Sequence, residues 1–358
     1  MPKPLRISLR VIACLLALVL LAALAYVAYV VFSYSRIPDH QPLAPEGEAS
    51  ALAQTGRAYT VVTQNLGFGA YTPDFTFFMD GGVGSRAVSP ESVRVCIEEG
   101  ARTVAALSPD FVFFQEVDID SDRSYHIDER TLLSPFFEGC TSVFAQNYHS
   151  AYLFYPFYEP HGASQSGLLT VSRLAVSQAS RRSLPISEGF SKFLDLDRCY
   201  SVSRVPCENG KELVLFNVHL SAYGGSDEIR TAQMTRLLSE MQAEFEKGNY
   251  AVCGGDFNHD FTGHSTQDLN GGESVDFGWA QPFPDDLLAQ TGIRRADGYQ
   301  ALVPTCRNCD VPYREGNFTI IVDGFLVTEN VEILSVQNVD TRFSYSDHNP
   351  AVLRFLLK

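Results

Sequence analysis

Asp347 and His348 stand side by side in the string Ser346-Asp347-His348-Asn349-Pro350, near the end of a 358-residue chain. A carboxylate beside an imidazole can hold a metal ion and steer a proton within one short loop. Five further polar groups stand where apolar, strand-like segments end: Asn65, Glu116, His219, and Asp256 with Asn258. Asp323 lies inside another such segment, where a buried carboxylate needs a partner. Each residue alone would pass as a cap or a loop hydrogen bond. Strand ends on one edge of a sheet can converge, and the set then makes one site. Its carboxylates and amides are hard oxygen ligands suited to magnesium or a similar cation. Its two histidines can move protons and contact phosphate oxygens.

The surrounding segments predict strands with interposed helices. Residues 59–64 are β-branched and end at Asn65. Ser89-Pro90-Glu91 supplies the cap, proline and early acid of a helix start. Val93, Ile97, Val104 and Leu107 follow near helical spacing before Ser108-Pro109-Asp110 stops the helix. Residues 111–115 form an unbroken apolar strand, which requires cover on both faces, and end at Glu116. Further strands are predicted at 167–171, 200–205, 213–218, 251–254, 319–327 and 351–356, and helices at 126–137 and 228–245. Many strands, few helices and no repeat period predict two sheets face to face with helices outside.

The N-terminus is of another kind. Residues 11–32 carry no charge and follow Lys3, Arg6 and Arg10. As a helix they span roughly 33 Å, against a bilayer core of about 30 Å. Basic residues on the near side hold that end in the cytoplasm and place the rest of the chain outside the cell membrane, as a single-pass protein. Tyr26, Tyr29 and Tyr34 fall toward the outer end, where amphipathic rings suit the headgroup zone. The competing reading is a cleaved signal peptide, because Ala23-Leu24-Ala25 resembles a small-residue cleavage site. The expected organisation is a stub and anchor over residues 1–36, a linker over 37–58 rich in Pro, Ala, Glu, Gln and Gly, and a folded domain over 59–358.

From residue 37 onward, 42 acidic residues stand against 23 basic ones. So acidic a surface repels polyphosphate at long range and argues against nonspecific grip on nucleic acid. A bound dication can still hold one phosphate locally. Seven cysteines lie outside the apolar run, an odd number in a domain large enough to fold without staples, so no disulfide framework is implied. Cys306-Arg307-Asn308-Cys309 reads as a redox pair, a local disulfide, half a zinc site or two loop thiols.

Six strings occur in order: Thr63-Gln64-Asn65, Phe114-Gln115-Glu116-Val117, Asn217-Val218-His219-Leu220, Gly254-Gly255-Asp256-Phe257-Asn258, Val322-Asp323-Gly324-Phe325 and Ser346-Asp347-His348-Asn349-Pro350. Together they resemble the endonuclease/exonuclease/phosphatase superfamily, which includes deoxyribonuclease-I-like nucleases, neutral sphingomyelinases and inositol polyphosphate phosphatases. The resemblance spans residues 59–357. It implies a four-layered α/β sandwich, two facing mixed β-sheets flanked by helices, here behind an N-terminal transmembrane helix. It further implies metal-dependent cleavage of a phosphate ester by water, with magnesium as the cofactor and manganese or calcium as alternatives. On that basis Glu116 is expected to be the principal metal ligand, with Asn65 beside it and Asp347 completing the shell or a second site. Asp256 is expected to activate the attacking water, and Asn258 to hold that water or a phosphoryl oxygen. His219 and His348 would donate to the phosphoryl group, with Asp323 orienting His348.

Other features fall outside those strings. The aromatic insertion 67–88 either lines the substrate cleft or packs on its own rings. Asp118, Asp120 and Asp122 alternate, as a second metal site or a solvated acidic loop would. Residues 152–158 are aromatic enough to stack bases, meet lipid or fill core. Arg173 is a candidate phosphate contact, and Arg181, Arg182, Arg294 and Arg295 could form a basic pocket. The phosphate ester remains open between a phospholipid headgroup, nucleic acid and an inositol phosphate. The alternatives are an exported nuclease and an inactive surface-binding module; the membrane is met through residues 11–32, and no protein partner is implied.

Overall fold

The computed structural model describes residues 2–189, 192–222, 227–272, 279 and 281–358. Two seven-stranded sheets make its centre. The first runs, edge to edge, through Gln41–Leu43, Gln178–Ser183, Cys199–Pro206, Glu212–His219, Tyr250–Asp256, Asp323–Thr328 and Ile293–Arg295. The second runs through Val331–Asn338, Ala351–Leu357, Ala58–Asn65, Phe111–Asp118, Gly162–Ser172, Thr141–Leu153 and Glu46–Gly47. Glu212–His219 lies parallel to Tyr250–Asp256, and Ala58–Asn65 parallel to Phe111–Asp118; the other neighbours are antiparallel, so both sheets are mixed.

Alternation along the strands builds the layers, because successive side chains point to opposite faces. Val61, Phe111, Phe113 and Leu353 meet Leu215, Val252 and Phe325 in the core between the sheets. Val62, Val112 and Phe114 face the other way, onto Val93, Ile97 and Val104 of the helix Pro90–Ala106. Val214, Phe216 and Ala251 likewise meet Met234, Leu237 and Met241 of the helix Asp227–Glu246. The result is the expected four layers. Ser89 caps the first of these helices by accepting from the Ser92 N–H at 3.0 Å, with Pro90 in the first turn. A buried amide pair ties the sheets together close behind the strand ends: Gln115 Nε2 donates to Asn217 Oδ1 at 2.8 Å.

Some elements depart from the sequence-based expectation. The helix expected over 126–137 is reduced to Glu129–Leu133 and a tight turn at Ser134–Phe136, where Pro135 lacks the N–H to continue it. The strand expected over 319–327 breaks in two: Thr319–Ile320 pairs with Cys306–Arg307, and Asp323–Thr328 belongs to the first sheet. Within the stretch read as a linker, Gln41–Leu43 and Glu46–Gly47 each add an edge strand, one to each sheet. N-terminal to them, the helix Lys3–Ser33 has a mean hydropathy of 2.9 in its most apolar window and is long and apolar enough to cross a membrane.

Candidate active site

Strand register brings the polar strand ends together. Asp256 pairs with His219 on one side and with Asp323 on the other, in adjacent strands of the first sheet. Asn65 pairs with Gln115, next to Glu116, in the second. Two glycines allow the close approach. A Cβ on Gly255 would sit 2.0 Å from the Val218 carbonyl oxygen, and the residue has a φ of +149°. A Cβ on Gly67, at φ +54°, would sit 2.8 Å from Asp347 Oδ1. Glu116 and Asn258 themselves adopt φ values of 54° and 51°, a costly region for residues with side chains and one that collects at functional sites.

The side chains form one network. Asn65 Nδ2 donates to Glu116 Oε1 at 3.2 Å and to Asp256 Oδ2 at 3.1 Å, while its Oδ1 accepts from the Gly67 N–H at 3.0 Å. The amide therefore sits as a brace between two carboxylates, with its oxygen engaged by backbone. His219 Nε2 lies 3.5 Å and His348 Nε2 3.8 Å from Asp256 Oδ2, so the carboxylate stands between two imidazoles. His219 Nε2 is also 3.9 Å from Glu116 Oε1. On its far side His348 Nδ1 meets Asp323 Oδ2 at 2.7 Å. Asn258 donates its N–H to Asp256 Oδ1 at 2.9 Å and its side-chain amide to the Leu220 carbonyl at 2.8 Å. Ser346 Oγ donates to the Asn65 carbonyl and accepts the His348 N–H, which fixes the Asp347-His348 loop against the strand end.

Electrostatics follow from burial and neighbours. Burial pushes Asp256 up to about 7, and the Asp323 charge adds to this against the opposing pull of His348. Burial likewise raises Asp347 to about 6, with the Glu116 charge contributing and His348 and Arg307 opposing. Burial works to lower both histidines, but only His219 ends well below its ordinary value. At His348 burial is outweighed by the Asp323 carboxylate together with Cys306 and Asp347, which hold the ring well above it, as an imidazolium. Buried carboxylates repelling one another across a cleft form a site where a divalent cation is the natural counter-charge. Their oxygens are the hard donors that magnesium, manganese or calcium prefer. Among the described residues Asp256, Asp323 and His348 also offer donor atoms within 4.8 Å of one another, a candidate cation site in which Asp323 and His348 already bond to each other.

Glu116, His219, Asp256, Asn258, Asp347 and His348 line a cleft of about 580 Å³. Phe68, Tyr71, Phe77 and Phe78 of the aromatic insertion line it too, while Phe68, Tyr71 and Phe77 are also buried in the adjoining core, so the insertion does both things expected of it. A family model described as the Endonuclease/Exonuclease/phosphatase family matches residues 98–348. The chain belongs to that family. No curated protein matches the sequence. Among solved structures, an endonuclease/exonuclease/phosphatase from Beutenbergia cavernae DSM 12333 is similar at TM-score 0.55 and 16% identity, covering 84% of this chain and 72% of the other. One from Bacteroides vulgatus gives 0.54 and 14%, covering 84% and 100%. D. rerio TDP2 complexed with single strand DNA product gives 0.51 and 13%, covering 83% and 98%. At these identities the likeness is one of fold. Members of this family act on phosphate esters and typically use a divalent metal.

The arginines around this family member's cleft are not those nominated from sequence. Arg173 donates to the Pro109 carbonyl, Arg181 to backbone carbonyls including that of Gln146, and Arg294 to the Val331 carbonyl. Arg182 pairs with Glu240 and Arg295 with Asp285. Arg123, Arg198 and Arg307 line the cleft instead. Arg307 is 1% exposed; its Nη2 donates to the Thr72 and Phe75 carbonyls at 3.0 and 3.3 Å. Its Nε and Nη1, also buried, have no hydrogen-bond partner among the described residues, and the guanidinium lies 5.9 Å from the Tyr313 ring centroid. The signal for it was the Cys306–Cys309 string, read for its thiols; those thiols are free and buried, with Cys306 pushed up to about 12 by burial. The alternating acids serve structure: Asp118 pairs with Arg123 at 2.8 Å, Asp120 meets His126 Nδ1 at 2.6 Å, and Asp122 accepts from the Ala163 N–H at 2.7 Å.

Proposed function

We propose that this cleft hydrolyses a phosphate ester with a divalent cation as cofactor, magnesium first, and that residues 59–358, with the edge strands Gln41–Leu43 and Glu46–Gly47 added to them, form the catalytic domain on the outer side of the cell membrane. The observation that carries the reading is Asp256 between His219 and His348, with Asn65 bracing it against Glu116. Glu116 and Asp347 would hold the cation, which supplies charge neutralisation at the phosphoryl oxygens. Asp256 takes a proton from the attacking water; its raised affinity for protons, near neutral, suits a general base. His348, held as an imidazolium by Asp323, donates to the phosphoryl group and offsets the negative charge that grows in the transition state. His219 binds the same group from the other side as a neutral ring, and Asn258 holds the water or a phosphoryl oxygen. Asn65 braces Glu116 and Asp256 through its Nδ2, and its Oδ1, which keeps a second lone pair beside the Gly67 N–H bond, would sit next to the cation as a further ligand.

The acidic balance of the domain argues against a nuclease. Three basic residues, Lys3, Arg6 and Arg10, before the apolar run 11–32 against Arg36 alone just past it support the outward orientation. The test is a screen of the full-length protein in detergent against duplex DNA, RNA, sphingomyelin and inositol phosphates, with magnesium and with a chelator. Metal-dependent hydrolysis of at least one is expected. No hydrolysis of any would leave a binding module that keeps only the fold.

A further inference from the structure

The outer end of the long apolar helix is fastened to the domain. Tyr26 Oη donates to the Tyr152 carbonyl at 3.2 Å and accepts from the Phe154 N–H at 3.1 Å. Tyr29 Oη accepts from the Tyr152 N–H at 3.2 Å, and Tyr34 Oη donates to the Leu196 carbonyl at 3.1 Å. The Tyr26 ring packs edge-on against Phe154, 5.2 Å between centroids. Tyr26 and Val30 are spaced to share one helix face, Tyr34 follows just past the helix end, and all three are partly buried. Tyr26 also lines the cleft that holds Glu116, Asp256 and His348. A helix long enough to cross a bilayer thus supplies part of the wall of the candidate active site.

Its length then sets the height of the domain. Residues 2–25 are all exposed, and the uncharged part of that stretch, 11–25, is about 15 residues long. As a helix it reaches roughly 23 Å, about 7 Å short of a hydrocarbon core of about 30 Å. The shortfall is met if the domain surface around Tyr26 enters the lipid boundary. That surface is the turn joining Thr141–Leu153 to Gly162–Ser172, where Phe154, Tyr155, Phe157 and Tyr158 are 50%, 62%, 83% and 69% exposed. Residues 150–158 carry no charge. The amphipathic rings of Tyr155 and Tyr158 suit the headgroup zone, and the apolar rings of Phe154 and Phe157 on the same uncharged turn suit lipid better than open water.

We propose that the aromatic turn 152–158 docks into the outer face of a zwitterionic bilayer beside the helix, so that the cleft opens onto the membrane surface. The choice of a zwitterionic surface follows from the acidic balance of the domain, which anionic lipid would repel. The substrate ester is then one carried by a membrane lipid; this second half rests on the reaction proposed above, whereas the docking does not.

The test uses the full-length protein in phosphatidylcholine vesicles. The chain has one tryptophan, Trp279, so Phe157→Trp adds a single reporter over a known background. Its added emission is expected to be blue-shifted and at least about two-fold quenched by lipid bearing a nitroxide near the headgroup. Water-like, unquenched added emission overturns the docking. Phe157→Asp is expected to slow hydrolysis of vesicle phosphatidylcholine or sphingomyelin at least about ten-fold, while the rate on soluble bis(p-nitrophenyl) phosphate, which also reports folding, stays within about two-fold. Equal rates on lipid for parent and variant overturn the lipid presentation. Should the parent hydrolyse neither ester, the reaction fails and, with it, the lipid substrate; the quenching still decides the docking.

Discussion

Asp323 Oδ2 lies 2.7 Å from His348 Nδ1, with Asp256 Oδ2 3.8 Å from the opposite nitrogen of the same ring. One imidazole therefore bridges a buried orienting carboxylate and the carboxylate assigned to the water. Asp323→Asn keeps the shape and removes the charge that sustains the imidazolium. It is expected to lower kcat by about a hundred-fold with little change in KM, since the loss falls on transition-state charge. Steady-state rates on a soluble phosphodiester check this; a rise in KM alone would instead make Asp323 a part of substrate binding.

Glu116 and Asp347 carry the cation in this account. Glu116→Gln and Asp347→Asn should each weaken magnesium binding by at least about ten-fold, read by titration calorimetry on the purified protein without substrate. Magnesium should also raise the Tm of the parent, because a ligand of the native state stabilises it, and that rise should shrink in both variants. Unchanged affinity in both would move the metal elsewhere, with Asp256, Asp323 and His348 the next set to test.

Arg307 is expected to grip the substrate phosphate. It lines the cleft, and its buried Nε and Nη1 have no hydrogen-bond partner among the described residues. Arg307→Gln should lower kcat/KM by about ten- to a hundred-fold, the cost of one charge-assisted contact. A urea midpoint matching the parent would separate this from misfolding, and an unchanged kcat/KM would assign the guanidinium to structure alone.

His161 gives the fold an acid-sensitive component. Burial, aided by the Arg123 charge, lowers it from the ordinary 6.5 to about 4, and its Nδ1 lies 2.9 Å from the Ser85 carbonyl. Between those values the unfolded chain binds the proton that the folded one refuses. The stability this ring contributes is therefore complete above about 6.5 and is lost as pH falls toward about 4, to the extent of about 3 kcal/mol. Urea unfolding of parent and His161→Gln at several pH values should show a parental loss on acidification that the variant lacks. Parallel curves would contradict the assignment.

Much of this was legible in the sequence, and the residues show why. Ser89 and Pro90 announced a helix that does begin at Pro90, because capping is local. Residues 111–115 read as a strand covered on both faces, and Phe113 and Phe114 do face the sheet core and the helix layer respectively. The polar strand ends pointed to one edge, and register brings them there. The strand Thr141–Leu153 escaped notice because its alternation runs through Ser142, Gln146 and Asn147, with little apolar signal. Val331–Asn338 is an edge strand whose register shifts between Ile333 and Ser335, breaking the period of two. The arginines were misjudged for a deeper reason: which guanidinium meets the cleft depends on tertiary placement, and Arg181 and Arg307 look alike in sequence.

The most direct test of the central claim is the rate of magnesium-dependent hydrolysis of bis(p-nitrophenyl) phosphate by the parent, His219→Ala and His348→Ala, each with a parental urea midpoint. The account predicts that chelation abolishes the parental rate and that each substitution lowers it by at least about a hundred-fold. Parental rates in both variants would contradict the assignment of this cleft as the place where the ester is cleaved.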